Sequence, residues 1–183
     1  MFLKTRLYFS AVVTLGILSL LLWNHFNGGV PSHHILARED LPEISNWWGA
    51  ILLPLLTWFL TYQVEKRLTK QNKGKSRMKA IPKSVTVGFF MALLFGITLS
   101  SFFSLGNTEV PGYMLMAVLG ISLFLPIYRA ECLLGFVIGM TYTFGAVLPT
   151  GIGSILALIG AVIYLGVRPV IWFVVSKARN LAG

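Results

Sequence analysis

The residues best suited to chemistry are gathered in one stretch, NHFNGGVPSHHILAREDLPEISNWWG, at positions 24–49. It holds all three histidines of the chain, His25, His33 and His34, and three of its six acidic residues, Glu39, Asp40 and Glu43. Imidazole and carboxylate groups together ligate zinc, copper or iron, and a catalytic site of that kind keeps one coordination position open. The expected ligand set is His25, His33, His34 and Asp40 around a divalent metal ion, with Gly28 and Gly29 letting the backbone fold His25 back toward His33. The expected catalytic set is His33, His34, Asp40 and Glu109, with Glu39 and Glu43 as supporting carboxylates. The spacing is unspecific: there is no HExxH, and adjacent histidines point apart on regular backbone. A Ser–His–Asp arrangement can also be written, from Ser32 or Ser45, His33 or His34, and Asp40, but such triads are defined by geometry and not by order. The simpler reading of the same residues is an ordinary hydrated loop with titratable histidines, and a third is a pH-sensing role.

The elements that must position this stretch are oily. Of 183 residues, 56% are hydrophobic and 11% charged, and the mean hydropathy is +0.77. Soluble domains carry about 25% charged residues, so the composition predicts an integral membrane protein. Six apolar runs follow: 7–23, 47–64, 84–105, 113–127, 132–148 and 154–175. Spanning takes roughly 17–25 mostly apolar residues, which the fourth run barely supplies. The expected fold is all-α, a single polytopic bundle of six transmembrane helices over 1–183, with a structured outer loop at 24–46 and a basic inner loop at 65–83. The first run follows a basic start but lacks a small-residue cleavage site, so it reads as a retained signal-anchor helix. Pro54 should kink the second helix. Ser45 or Asn46 should cap its start beside the interfacial pair Trp47 and Trp48, and Asp40, Pro42 and Glu43 should open a short interfacial helix just before it.

Charge placement sets the expected orientation. The net charge is +9, which could suit nucleic acid, but the cations lie between apolar runs and point to topology and anionic lipid headgroups. With the N-terminus inside, 13 of the 15 basic residues fall on inner segments, eight of them within 65–83, and Glu39, Asp40, Glu43 and Glu109 fall outside. The expectation is a multi-pass protein of a bacterial-type inner membrane with both termini cytoplasmic.

Within the spans, Arg168 is the one charge expected at depth, and such charges are functional candidates. It lies about nine residues from Lys177 and can reach the inner interface by snorkelling, or pair with Glu131 at the inner start of the fifth helix, or stand on a transport path. Gly135 and Gly139 form a GxxxG that suits close helix contact. The lone Cys132 and the scattered Met114, Met116 and Met140 read as packing. The third and fifth runs share a loose pattern, VGFFMALLFGITL against LGFVIGMTYTFGAVL, that only a gap brings into line. Three functions fit these features. The first is a membrane-embedded enzyme, metal-dependent or not, acting on a lipid or amphiphile at the outer interface. The second is a small-solute or ion transporter, and the third an accessory subunit packed on a membrane-protein partner or a second copy.

Overall fold

The computed structural model describes residues 2–34, 43–71, 81–107 and 109–182. The element order is α1 (Phe2–Phe26), β1 (Ser32–His34), β2 (Glu43–Ser45), a 3-10 turn (Asn46–Trp48), α2 (Gly49–Gln71), α3 (Lys83–Ser104), α4 (Glu109–Ile121) and α5 (Ala130–Phe144). Then come α6 (Val147–Val162), a π-helical segment (Ile163–Val167) and α7 (Arg168–Ala182). Among the described residues three helical stretches are long and apolar enough to cross a membrane: Leu3–Phe26, Lys83–Ser104 and Val147–Lys177. Only 11%, 22% and 6% of their most apolar windows are buried within the chain. Surface that apolar on a monomer calls for an apolar surrounding or a partner, which makes the fold compatible with a membrane protein. α4 and α5 are apolar but shorter.

The centre of the bundle is α5, whose Leu134, Gly135, Phe136, Val137, Gly139, Met140 and Thr141 are all buried. Its main neighbour is α3, and small residues set that approach. A methyl group on Gly96 would stand 2.7 Å from the carbonyl oxygen of Phe136. Methyl groups on Gly135 and Gly139 would overlap the carbonyl oxygens of Phe89 and Leu93. The two backbones therefore touch along a seam where any side chain would part them. The expected GxxxG contact is present, and its partner is the third helix. The loose likeness between the two runs follows from this pairing, since both need small residues on the seam. Ile17 and Leu21 of α1, Leu53 of α2 and Leu99 of α3 complete the core around Val137 and Met140.

Two helix boundaries differ from the hydropathy reading, each for a local reason. α2 does not stop at residue 64 but continues to Gln71, because Leu60 and Leu68 prolong its buried stripe and Glu65 and Arg67 find partners across the bundle. The fifth helix ends at Gly145, in a left-handed conformation at φ 69°, and not in LPTGIG. Pro149 lies in the first turn of α6, where a missing N–H costs nothing. This earlier start shifts the register of everything that follows it.

Candidate functional site

On either side of residues 35–42, the described parts of the 24–49 stretch pair as a two-stranded ribbon. Gly28 and Gly29 take φ values of 112° and 96°, which turn the chain out of α1 at little steric cost. β1 and β2 then pair antiparallel, with Ser32 opposite Ser45, His33 opposite Ile44 and His34 opposite Glu43. Ser32 Oγ donates to Glu43 Oε1, and the N–H of Asn46 donates to the carbonyl of Pro31 at 3.2 Å. Glu43–Ser45 is extended, so the interfacial helix expected to open near Asp40 does not run through Glu43; ladder pairing with β1 satisfies that backbone instead. Ser45 does cap the entry to α2, accepting from the N–H of Trp47 at 3.3 Å.

The ribbon is fastened to the bundle at two points. Asn46 is buried and its side-chain amide lies against Gly145, where a methyl group would overlap it. His25, in the last turn of α1, sets its ring edge-on to Trp47 at 6.1 Å and to Phe26 at 5.4 Å. Trp47 and Trp48 themselves stand exposed.

Of the expected ligands and catalytic groups, the structure brings His34 opposite Glu43 and His25 beside Trp47. His33 and His34 are described through their backbone, and Glu39 and Asp40 lie outside the described residues. Among the described residues no group of three His, Cys, Asp or Glu side chains could hold a metal ion. Glu109 opens α4, exposed in its first turn, where a carboxylate complements the helix dipole. It sits beyond the end of α3, whose Phe103 meets Phe144 with ring centroids 4.8 Å apart.

At the opposite end, charge is buried. Arg67 donates to Glu131 Oε1 at 2.8 Å, with the Glu131 side chain only 3% exposed and that of Arg67 26%. Arg6 pairs with Glu65 at 3.3 Å and stacks over Trp58, 3.9 Å from the ring centroid. The carboxylate expected to serve Arg168 is thus engaged by Arg67. Arg168 stacks on Tyr164 at 4.5 Å, and Tyr164 lies against Tyr128 of the α4–α5 link at 5.7 Å. The reason is register. From Val147, Arg168 lies about 32 Å along the helix axis at 1.5 Å per residue, close to the full ~30 Å of a hydrocarbon core.

Arg6, Glu65 and Arg67 are the residues that sequence reading passed over, having assigned them to topology alone. The available signal was the helical spacing of Leu60, Val64 and Leu68, which carries α2 past its first charges. Glu131 lines two cavities, one of about 240 Å³ among α1, α2, α3 and α5, the other of about 450 Å³ among α3, α4, α5 and α6. Compared with known protein families, curated proteins and solved structures, the chain matches none.

Proposed function

We propose that this is a six-span protein of a bacterial-type inner membrane, N- and C-termini inside, acting as a membrane-embedded enzyme on a lipid or other amphiphile at the outer surface. The observation that carries this reading is the ribbon, which sets His34 opposite Glu43 on a base held by the Asn46–Gly145 clasp. A histidine beside a carboxylate is the usual means of moving a proton at neutral pH. The exposed Trp47 and Trp48 suit headgroup depth, where a lipid's polar bonds lie. The inner cations, concentrated in 65–83, would meet anionic headgroups on the other leaflet.

The test is turnover of a total lipid extract in nanodiscs, followed by mass spectrometry, with metal content measured on the same preparations. Wild-type protein is expected to convert at least one lipid class. His34→Ala and Glu43→Gln should each slow that conversion by about 100-fold or more, the usual contribution of a positioned acid or base. Bound metal that is lost in His33→Ala and Asp40→Ala would make the site a metal centre. An unchanged lipid profile, or variants as active as wild type, would sink the enzyme reading. Transport of a small solute is the second reading, favoured by the buried Glu131 on the walls of two cavities. Liposome flux that collapses in Glu131→Gln while the melting temperature holds would put it first.

A further inference from the structure

The last helix meets two opposite demands. The apolar stretch Val147–Lys177 is 31 residues long, about 46 Å at 1.5 Å per residue, against a hydrocarbon core of ~30 Å. A tilt of ~40°, the steepest usual in a bilayer, still leaves about 36 Å. Where this stretch crosses a membrane, one end must therefore stand outside the hydrocarbon, and charge selects the end. α6 and the π-helical segment, 16 and 5 residues long, carry no charged side chain and already run about 32 Å. The cations Arg168, Lys177 and Arg179 all lie in α7.

Water suits α7 no better. Its apolar residues from Val170 to Val175 are all exposed, and its main contact is the π-helical segment before it. At about 100° per residue, Val170, Ile171, Val174 and Val175 fall on one arc, and Arg168, Ser176, Lys177 and Arg179 on the other. Trp172 and Phe173 stand toward the edges of the polar half, where rings reach headgroup depth. A helix too charged for hydrocarbon and too apolar for water belongs at the interface between them. The joint before it suits a change of direction: Ile163–Val167 is π-helical and Pro169 gives the helix ladder no N–H, both usual causes of a bend.

Charge also names the partner. α7 contains no acid, and Lys177 and Arg179 have no ion-pair partner among the described residues. A second copy of α7 would bring the same cations with no carboxylate to answer them, and like charges set together oppose association. Anionic headgroups answer all of them. We propose that α7 lies along the surface of an anionic membrane, with its valine and isoleucine arc in the acyl boundary and its cations on the phosphates. The inference rests on the chain being a membrane protein and not on the enzyme reading.

The experiment places one nitroxide at a time on the whole chain in a Cys132→Ser background, through Val170→Cys, Phe173→Cys, Val174→Cys or Ser176→Cys. The proteins sit in nanodiscs of phosphatidylcholine, alone or mixed with phosphatidylglycerol. Paramagnetic resonance reads collisions with oxygen, which partitions into lipid, and with a water-soluble nickel chelate. In the mixed discs, positions 170 and 174 should favour oxygen and positions 173 and 176 the chelate, the alternation of a helix lying flat. Lys177→Gln with Arg179→Gln should raise the chelate-accessible population at position 174 about 25-fold over the docked one, at about fivefold per charge. Omitting phosphatidylglycerol should shift it the same way. A steady change of depth from 170 to 176 would make α7 part of the span and overturn the proposal. So would shielding of 170 and 174 from both reagents with spin–spin broadening, the mark of a contact between copies, or an alternation indifferent to phosphatidylglycerol and to the glutamine pair. Release of the protein from cell membranes by alkaline carbonate would overturn the membrane reading itself, and the proposal with it.

Discussion

Glu131 and Glu43 are both carboxylates near the start of a helical segment, and the bundle treats them in opposite ways. Glu131 opens α5 with its side chain 3% exposed and an arginine held against one oxygen. Glu43 is exposed on a two-stranded ribbon and accepts from a serine hydroxyl. The Glu131 end thus places its charges inside the packing, where removing one leaves the other stranded. The ribbon end fixes backbone and leaves Glu43, Trp47 and Trp48 exposed. The lesson is that the two ends should fail differently. Inner substitutions should be read in stability, and outer ones at His34 and Glu43 in activity.

The largest effect is expected at the buried pair. Arg67→Ala strands a carboxylate with almost no access to solvent, and breaking such a pair costs about 3–5 kcal/mol. Glu131→Ala should fall at or below the low end of that range, because the Arg67 side chain is already 26% exposed and can hydrate. The double variant Arg67→Met, Glu131→Leu should recover most of the loss, as apolar replacements of buried pairs do. Denaturation of the four proteins in one detergent checks this. A double variant as unstable as the sum of the singles would show that the two residues do not act as a pair.

A middle effect is expected at the clasp. Gly145→Ala puts a side chain into a left-handed conformation at φ 69° and against Asn46, so a loss of about 1–3 kcal/mol is expected. Hydrogen exchange should rise at the Asn46 amide and across β1 and β2 and stay flat at the Arg67–Glu131 end; uniform loosening would erase the distinction between the ends. The smallest effect is Ser45→Ala. Loss of its capping bond to Trp47 should cost about 1 kcal/mol, seen as a modest drop in melting temperature with the proposed turnover unchanged.

Much of the architecture was legible from the residues, and the exceptions are instructive. Apolar runs announced the helices because lipid asks only for length and hydropathy, and Ser45 announced a cap because few side chains do that work. The end of the fifth helix was misplaced because LPTGIG looks like a turn, whereas a proline in a first turn is compatible with a helix and the break needed only Gly145. That shift leaves Arg168 about 32 Å along the helix axis from Val147 at 1.5 Å per residue. The extension of α2 was hidden because charge was read as solvation, when Glu65 and Arg67 are charged and still face partners. The ribbon could not be read at all, because three-residue strands carry no periodicity. Its histidines were visible by type, while the register that sets His34 opposite Glu43 was not.

The measurement that tests the account most directly asks whether the two ends lie on opposite sides of a membrane. In a Cys132→Ser background, Ser32→Cys and Lys177→Cys are exposed in turn to a membrane-impermeant maleimide on intact cells and after permeabilisation. The account predicts that residue 32 labels on intact cells and residue 177 only after permeabilisation. Labelling of both from one side, or the reverse pattern, would contradict it.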